Sequence, residues 1–177
     1  MIEAKENFNN TWPFNPNFFS GNGFKQHYVD EGKENNRVIL CLHGEPTWGY
    51  IYRHFIKELS KNFRVVVPDL MGFGKSETPK NKEYSLKTHV ENLENLVNYL
   101  ELKNIYFVGQ DWGGPILGAY TLRNLTNTKG MFLINTIFGY SRTEKPKELT
   151  PWFKWIKKNE ENGTCLLYTS DAADDTP

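Results

Sequence analysis

The 177-residue sequence has only two cysteines, Cys41 and Cys165, far apart and in unlike surroundings. Cys41 lies in an apolar run and reads as a small buried hydrophobe, so a disulfide framework is not expected. Neither sign of charge predominates. Lysine plus arginine and aspartate plus glutamate both number 21, and no net field favours nucleic acid or an acidic membrane surface. No apolar run approaches the roughly 20 residues that cross a bilayer. The first residues, Met1-Ile2-Glu3-Ala4-Lys5-Glu6-Asn7, have neither the apolar stretch nor the small-residue cleavage site of a secretory leader, so the expected location is cytoplasmic. Histidine is scarce, with four residues, and no cluster of side chains suggests a metal or a cofactor.

What the chain does have is short apolar runs separated by helical patterns, within a length that suits one domain with a proper core. Arg37–Leu42, Phe63–Val67, Ile105–Val108 and Met131–Ile134 are continuous runs typical of strands buried on both faces. Lys25 to Glu31 reads as an edge strand, and residues 1–24 as an irregular arm whose aromatics cover the domain edge. Helical patterns span Trp48 to Ser60, Leu86 to Leu100 with Val90, Leu93, Leu96, Val97 and Leu100 on one stripe, and Gly113 to Asn124. Strand and helix alternate, which implies right-handed crossovers and a mostly parallel, doubly wound α/β sheet. In such sheets ligands bind at the carboxyl ends of the strands.

The residues following three of the runs are His43-Gly44-Glu45-Pro46-Thr47-Trp48, Pro68-Asp69-Leu70-Met71-Gly72-Phe73-Gly74-Lys75-Ser76 and Gly109-Gln110-Asp111-Trp112-Gly113-Gly114. The third has the small-x-nucleophile-x-small form of a nucleophile elbow, a sharp strand-to-helix turn that exposes one side chain. Its central residue is Asp111 in place of the usual serine. A carboxylate is ionised at neutral pH and attacks an electrophilic carbon without prior deprotonation, which suits displacement at an alkyl carbon and an ester intermediate. The competing reading of Asp111 is an ordinary cap at the next helix. Gly72 to Ser76 does not complete a phosphate-binding loop, because Asp69 occupies the position five residues before Gly74 where that loop needs glycine. His43 reads as a structural hydrogen-bonding residue, and His27, His54 and His89 as surface or boundary residues.

Together, HGEPTW, PDLMGFGKSETP and VGQDWGG, in that order, resemble the haloalkane dehalogenases of the α/β-hydrolase superfamily, with the resemblance running from about Trp12 to about Gly139. The resemblance implies an α/β-hydrolase fold with a helical cap, Asp111 as nucleophile, Trp112 as halide-binding donor through its indole N–H, and the backbone N–H groups of Glu45 and Trp112 as the oxyanion hole. Many relatives carry asparagine at the position of Glu45 as a second halide donor. Relatives with glutamate use a second tryptophan from the cap, for which Trp152 and Trp155 are both candidates here. The implied partners are a small hydrophobic haloalkane and water. Rival readings are an epoxide hydrolase or β-lactone-processing relative, and a catalytically silent small-molecule receptor on the same fold.

In this superfamily the acid and the histidine follow the nucleophile, yet no histidine follows Asp111 here. The expected organisation is therefore the N-terminal part of the hydrolase core over residues 1–138 and the start of a helical cap over 139–164, in a chain truncated at the cap and inactive by itself. The stretch from Cys165, Cys-Leu-Leu-Tyr-Thr-Ser-Asp-Ala-Ala-Asp-Asp, resembles a translated sequencing-library adapter, and residues 165–177 are expected to be a non-native tail.

Overall fold

Four of the apolar runs become neighbouring parallel strands. In the computed structural model, which describes residues 2–136, they are β3 (Val38–Leu42), β4 (Arg64–Pro68), β5 (Ile105–Gln110) and β6 (Thr128–Ile134). Two antiparallel strands precede them, β1 (Asn17–Phe19) and β2 (Gln26–Glu31), and the sheet order is β1-β2-β4-β3-β5-β6. The described residues all belong to the first of two units, Met1–Phe138. The second, Gly139–Pro177, lies outside them, and with it Trp152, Trp155, Cys165 and the expected cap and tail.

The strands alternate their side chains between two cores. On one face Val38, Leu40, Leu42, Val66 and Phe107 meet Val90, Leu93, Leu96 and Val97 of α2 (Leu86–Tyr99) and Ile116, Leu117 and Tyr120 of α3 (Gly113–Arg123). On the other, Ile39, Cys41, Val65, Val67 and Val108 meet Tyr52, Ile56 of α1 (Arg53–Leu59), and Trp12. Each fully buried Val, Leu or Ile contributes about 1.5–3 kcal/mol of transfer free energy, which is why β3 is apolar without a break. The α2 stripe predicted from sequence is the buried one, and Ser85 caps that helix by accepting from the Thr88 N–H at 3.3 Å.

Several expectations need correction. The arm is not wholly irregular, since Asn17–Phe19 pairs with Gln26–Tyr28. Three residues carry no detectable alternation, and the pairing comes from β2. With β1 outside it, β2 is an internal strand and not an edge. Trp12 does not cover the domain edge but is 1% exposed within the α1-side core. The expected helix from Trp48 begins as a 3-10 turn at Gly49–Tyr52 and is α-helical only from Arg53. β6 starts three residues earlier than its apolar run, because Thr128 pairs with Ile105 beside a bulge.

Candidate active site

Asp111 stands at the turn from β5 into α3 with φ +50°, a left-handed backbone that a side chain rarely adopts. Such strain costs on the order of 1–3 kcal/mol and persists only where its surroundings fix it. Here they do. The Asp111 N–H is shared between the carbonyls of Ile134 and Asn135 at 3.3 and 3.2 Å, and the Asp111 carbonyl accepts from the Gly114 N–H at 3.0 Å and the Thr136 hydroxyl at 2.6 Å. Glycine is required at 113, where a Cβ would run into the Leu42 carbonyl. Thr136 was not legible as an elbow residue, because it lies 25 positions away and hydroxyls past a strand are commonplace.

The loop after β3 reaches the same point. The backbone N–H of Glu45 donates to Asp111 Oδ1 at 2.8 Å, and Oδ2 has no hydrogen-bond partner among the described residues. Gly44 lies so close that a Cβ there would strike Oδ1 and sit 2.5 Å from the Trp112 nitrogen. The structure thus brings Glu45, Asp111 and Trp112 together, although the Trp112 N–H makes no hydrogen bond to the carboxylate. Trp112 is 42% exposed. Glu45 is half-buried, and burial first, then the neighbouring Asp111 charge, pushes its carboxyl above the usual range.

A second aspartate, Asp69, directly follows β4. It is fully buried and saturated: Oδ1 accepts from the Gly49 N–H at 2.8 Å, and Oδ2 accepts from His27 Nδ1 and from the Lys75 N–H, both at 2.9 Å. Burial favours its protonated form, but the His27 hydrogen bond and charge, the His43 field and the Lys75 amide together outweigh that and hold the carboxyl below its ordinary value. His27 is therefore no boundary residue. It is 0% exposed, and its partner 42 residues away could not be read from spacing. The Lys75 ammonium is buried on the carbonyls of Ala4 and Glu6 at 3.0 and 2.6 Å. His43 is fully buried, with burial depressing its pKa against smaller opposing effects of Asp69, the Gly44 carbonyl and Asp111. His89 is half-buried against Tyr84, with Nδ1 unpartnered, and burial followed by the His43 field pulls it down to about 4.

A mostly parallel sheet with an acidic elbow after its fifth strand and an N–H donor after its third defines a class, and comparison agrees. A family model described as alpha/beta hydrolase fold matches residues 37–166, and the chain belongs to the α/β-hydrolase family. The resemblance to the haloalkane dehalogenases also holds. The chain is 39% identical over 127 residues to haloalkane dehalogenase 2 of Mycobacterium bovis, covering 72% of this chain and 44% of that protein. It is 35% identical over 158 residues to a cis-3-alkyl-4-alkyloxetan-2-one decarboxylase of Shewanella oneidensis, covering 88% and 48%. Among solved structures, haloalkane dehalogenase DpaA from Paraglaciecola agarilytica NO2 matches with a TM-score of 0.76 at 35% identity, over 85% of this chain and 52% of that one. Epoxide hydrolase CorEH matches at 0.73 and 26% identity, over 87% and 55%. The chain spans about half the length of the curated relatives it matches. No helix among the described residues is long and apolar enough to cross a membrane.

Proposed function

We propose that the protein is a hydrolase of the haloalkane dehalogenase type that displaces halide from a haloalkane through Asp111. The observation that carries this reading is the Asp111 carboxylate on a left-handed elbow, with Oδ1 held by the Glu45 N–H and Oδ2 without a partner. Oδ2 attacks the halogen-bearing carbon, the carbon–halogen bond breaks, and halide leaves with the bonding pair toward the Trp112 indole N–H. The resulting alkyl ester is cleaved when water attacks the Asp111 carbonyl carbon. Negative charge then builds on Oδ1, where the Glu45 N–H already points and the Trp112 N–H would join it. Water's proton passes to a base, the ester C–O bond cleaves, and the alcohol departs. Residues 112–177 contain no histidine to act as that base. Residues 139–164 begin the cap in this reading.

Exposure to a 1-bromoalkane should release bromide and add the alkyl mass at Asp111, both lost in Asp111→Asn. Bromide release that survives the substitution would sink the reading. The Shewanella oneidensis relative favours one second reading, opening of a β-lactone by the same carboxylate. Carbon dioxide release from a β-lactone, with no bromide from the haloalkane, would select it. Ligand binding with neither product would select a silent receptor.

A further inference from the structure

The oxyanion-hole donor at Glu45 belongs to a peptide group whose other end is the Gly44 carbonyl, and that carbonyl is unusually well held. It accepts from His43 Nδ1 at 2.8 Å, from the Thr47 hydroxyl at 3.0 Å and from the Thr47 N–H at 3.1 Å. At its far side the His43 ring accepts from the Leu70 N–H through Nε2 at 2.9 Å. A carbonyl only accepts and a backbone N–H only donates, so these two partners force one neutral tautomer, with the proton on Nδ1 and Nε2 bare. Leu70 directly follows Asp69, whose carboxylate is bound to Gly49, Lys75 and His27. From the Leu70 N–H, fixed by the backbone to the buried Asp69, hydrogen bonds therefore lead through His43 to the Gly44–Glu45 peptide and on to Asp111.

We infer that His43 is a positioning residue for Asp111: its Nδ1–H clamps and polarises the Gly44 carbonyl, so that the Glu45 N–H of the same peptide points at Asp111 Oδ1. Donors on a carbonyl draw electron density from its amide nitrogen and strengthen the N–H as a donor, and hydrogen bonds in series reinforce one another. Thr47 assists from the same loop. His43 itself touches no reacting atom. The inference deepens the role proposed for Asp111 and rests on that reading for its kinetic consequence only.

Two isosteric variants separate the two ends of the ring. In His43→Asn the short amide N–H lies near the position of Nδ1 and keeps the Gly44 bond. In His43→Gln the longer amide oxygen lies near Nε2 and keeps the Leu70 bond. We expect the Glu45 amide proton, followed by NMR in the full chain, to move upfield in His43→Gln and to stay near its wild-type position in His43→Asn, with the amides of β3 and β5 unmoved in both. Alkylation of Asp111 by a 1-bromoalkane should slow about tenfold in His43→Gln and recover in His43→Asn. A merely structural histidine would move the strand amides together with Glu45, or would tolerate both variants alike, and either result overturns the inference. Should wild-type protein show no alkylation at all, the reading of Asp111 fails while the Glu45 amide still decides the role of His43.

Discussion

Asp69 and Asp111 occupy equivalent places, each at the carboxyl end of a parallel strand, yet their surroundings give them opposite characters. Asp69 is sealed from solvent and takes a main-chain N–H or an imidazole on both oxygens. Asp111 is only half-buried and takes a single N–H on one oxygen. A carboxylate surrounded by donors is stabilised in place and is a poor nucleophile. One held at a single oxygen keeps its position while its other oxygen stays reactive. Topology places both residues, and the count of donors separates a structural anion from one suited to chemistry.

The contrast breaks most visibly in stability. Asp69→Ala strands three donors in the core, and equilibrium urea unfolding should show a loss of about 3–5 kcal/mol. Asp111→Asn, at a backbone conformation asparagine tolerates, should stay within about 1 kcal/mol of wild type. Comparable losses for both would erase the distinction. Next in size is Lys75→Met. It removes the ammonium that binds the Ala4 and Glu6 carbonyls, costs about 1–3 kcal/mol, and should make the first residues the earliest site of limited proteolysis.

Acid sharpens the comparison further. His89 has a folded-state pKa of about 4 against an ordinary 6.5, so the stability it contributes is full above 6.5 and is lost as pH falls toward 4. His43, also depressed, acts in the same direction. The Asp69 carboxyl lies below its ordinary 3.8, so its contribution is full above 3.8 and disappears only at still lower pH. Melting curves from pH 7 to 3 should show the histidine loss first, and His89→Gln should reduce it without altering the later carboxylate loss. The smallest effect is expected at Glu45, whose carboxyl is raised above 4.5. Its ionised form is disfavoured in the fold, so stability falls as pH rises through that region. Glu45→Gln should raise Tm by roughly 2 °C at neutral pH and leave it unchanged near pH 3.

The sequence revealed what is local and left hidden what depends on distant partners. Val38–Leu42 and Val65–Val67 announce buried strands because both of their faces pack on helices, and Gly109, Gly113 and Gly114 announce the elbow because any side chain there would collide. β1 escaped notice because its pairing belongs to β2. His27 looked like a boundary residue because alternation cannot reveal that Asp69 waits on a neighbouring strand. The GFGKS segment could be excluded as a phosphate loop, but the burial of its lysine on the N-terminal arm was out of sight. The same distance hides the hydrogen bond by which Thr136 supports the elbow and the one that holds the His43 ring against Leu70, each between segments that only the sheet brings together.

The most direct test exposes the protein to a 1-bromoalkane, quenches in acid after short intervals, and maps the added mass by peptide sequencing alongside released bromide. The account predicts an alkyl group on Asp111, none on Asp69, and bromide matching or exceeding the adduct. Bromide release undiminished in Asp111→Asn, or an adduct on another carboxylate, would contradict it.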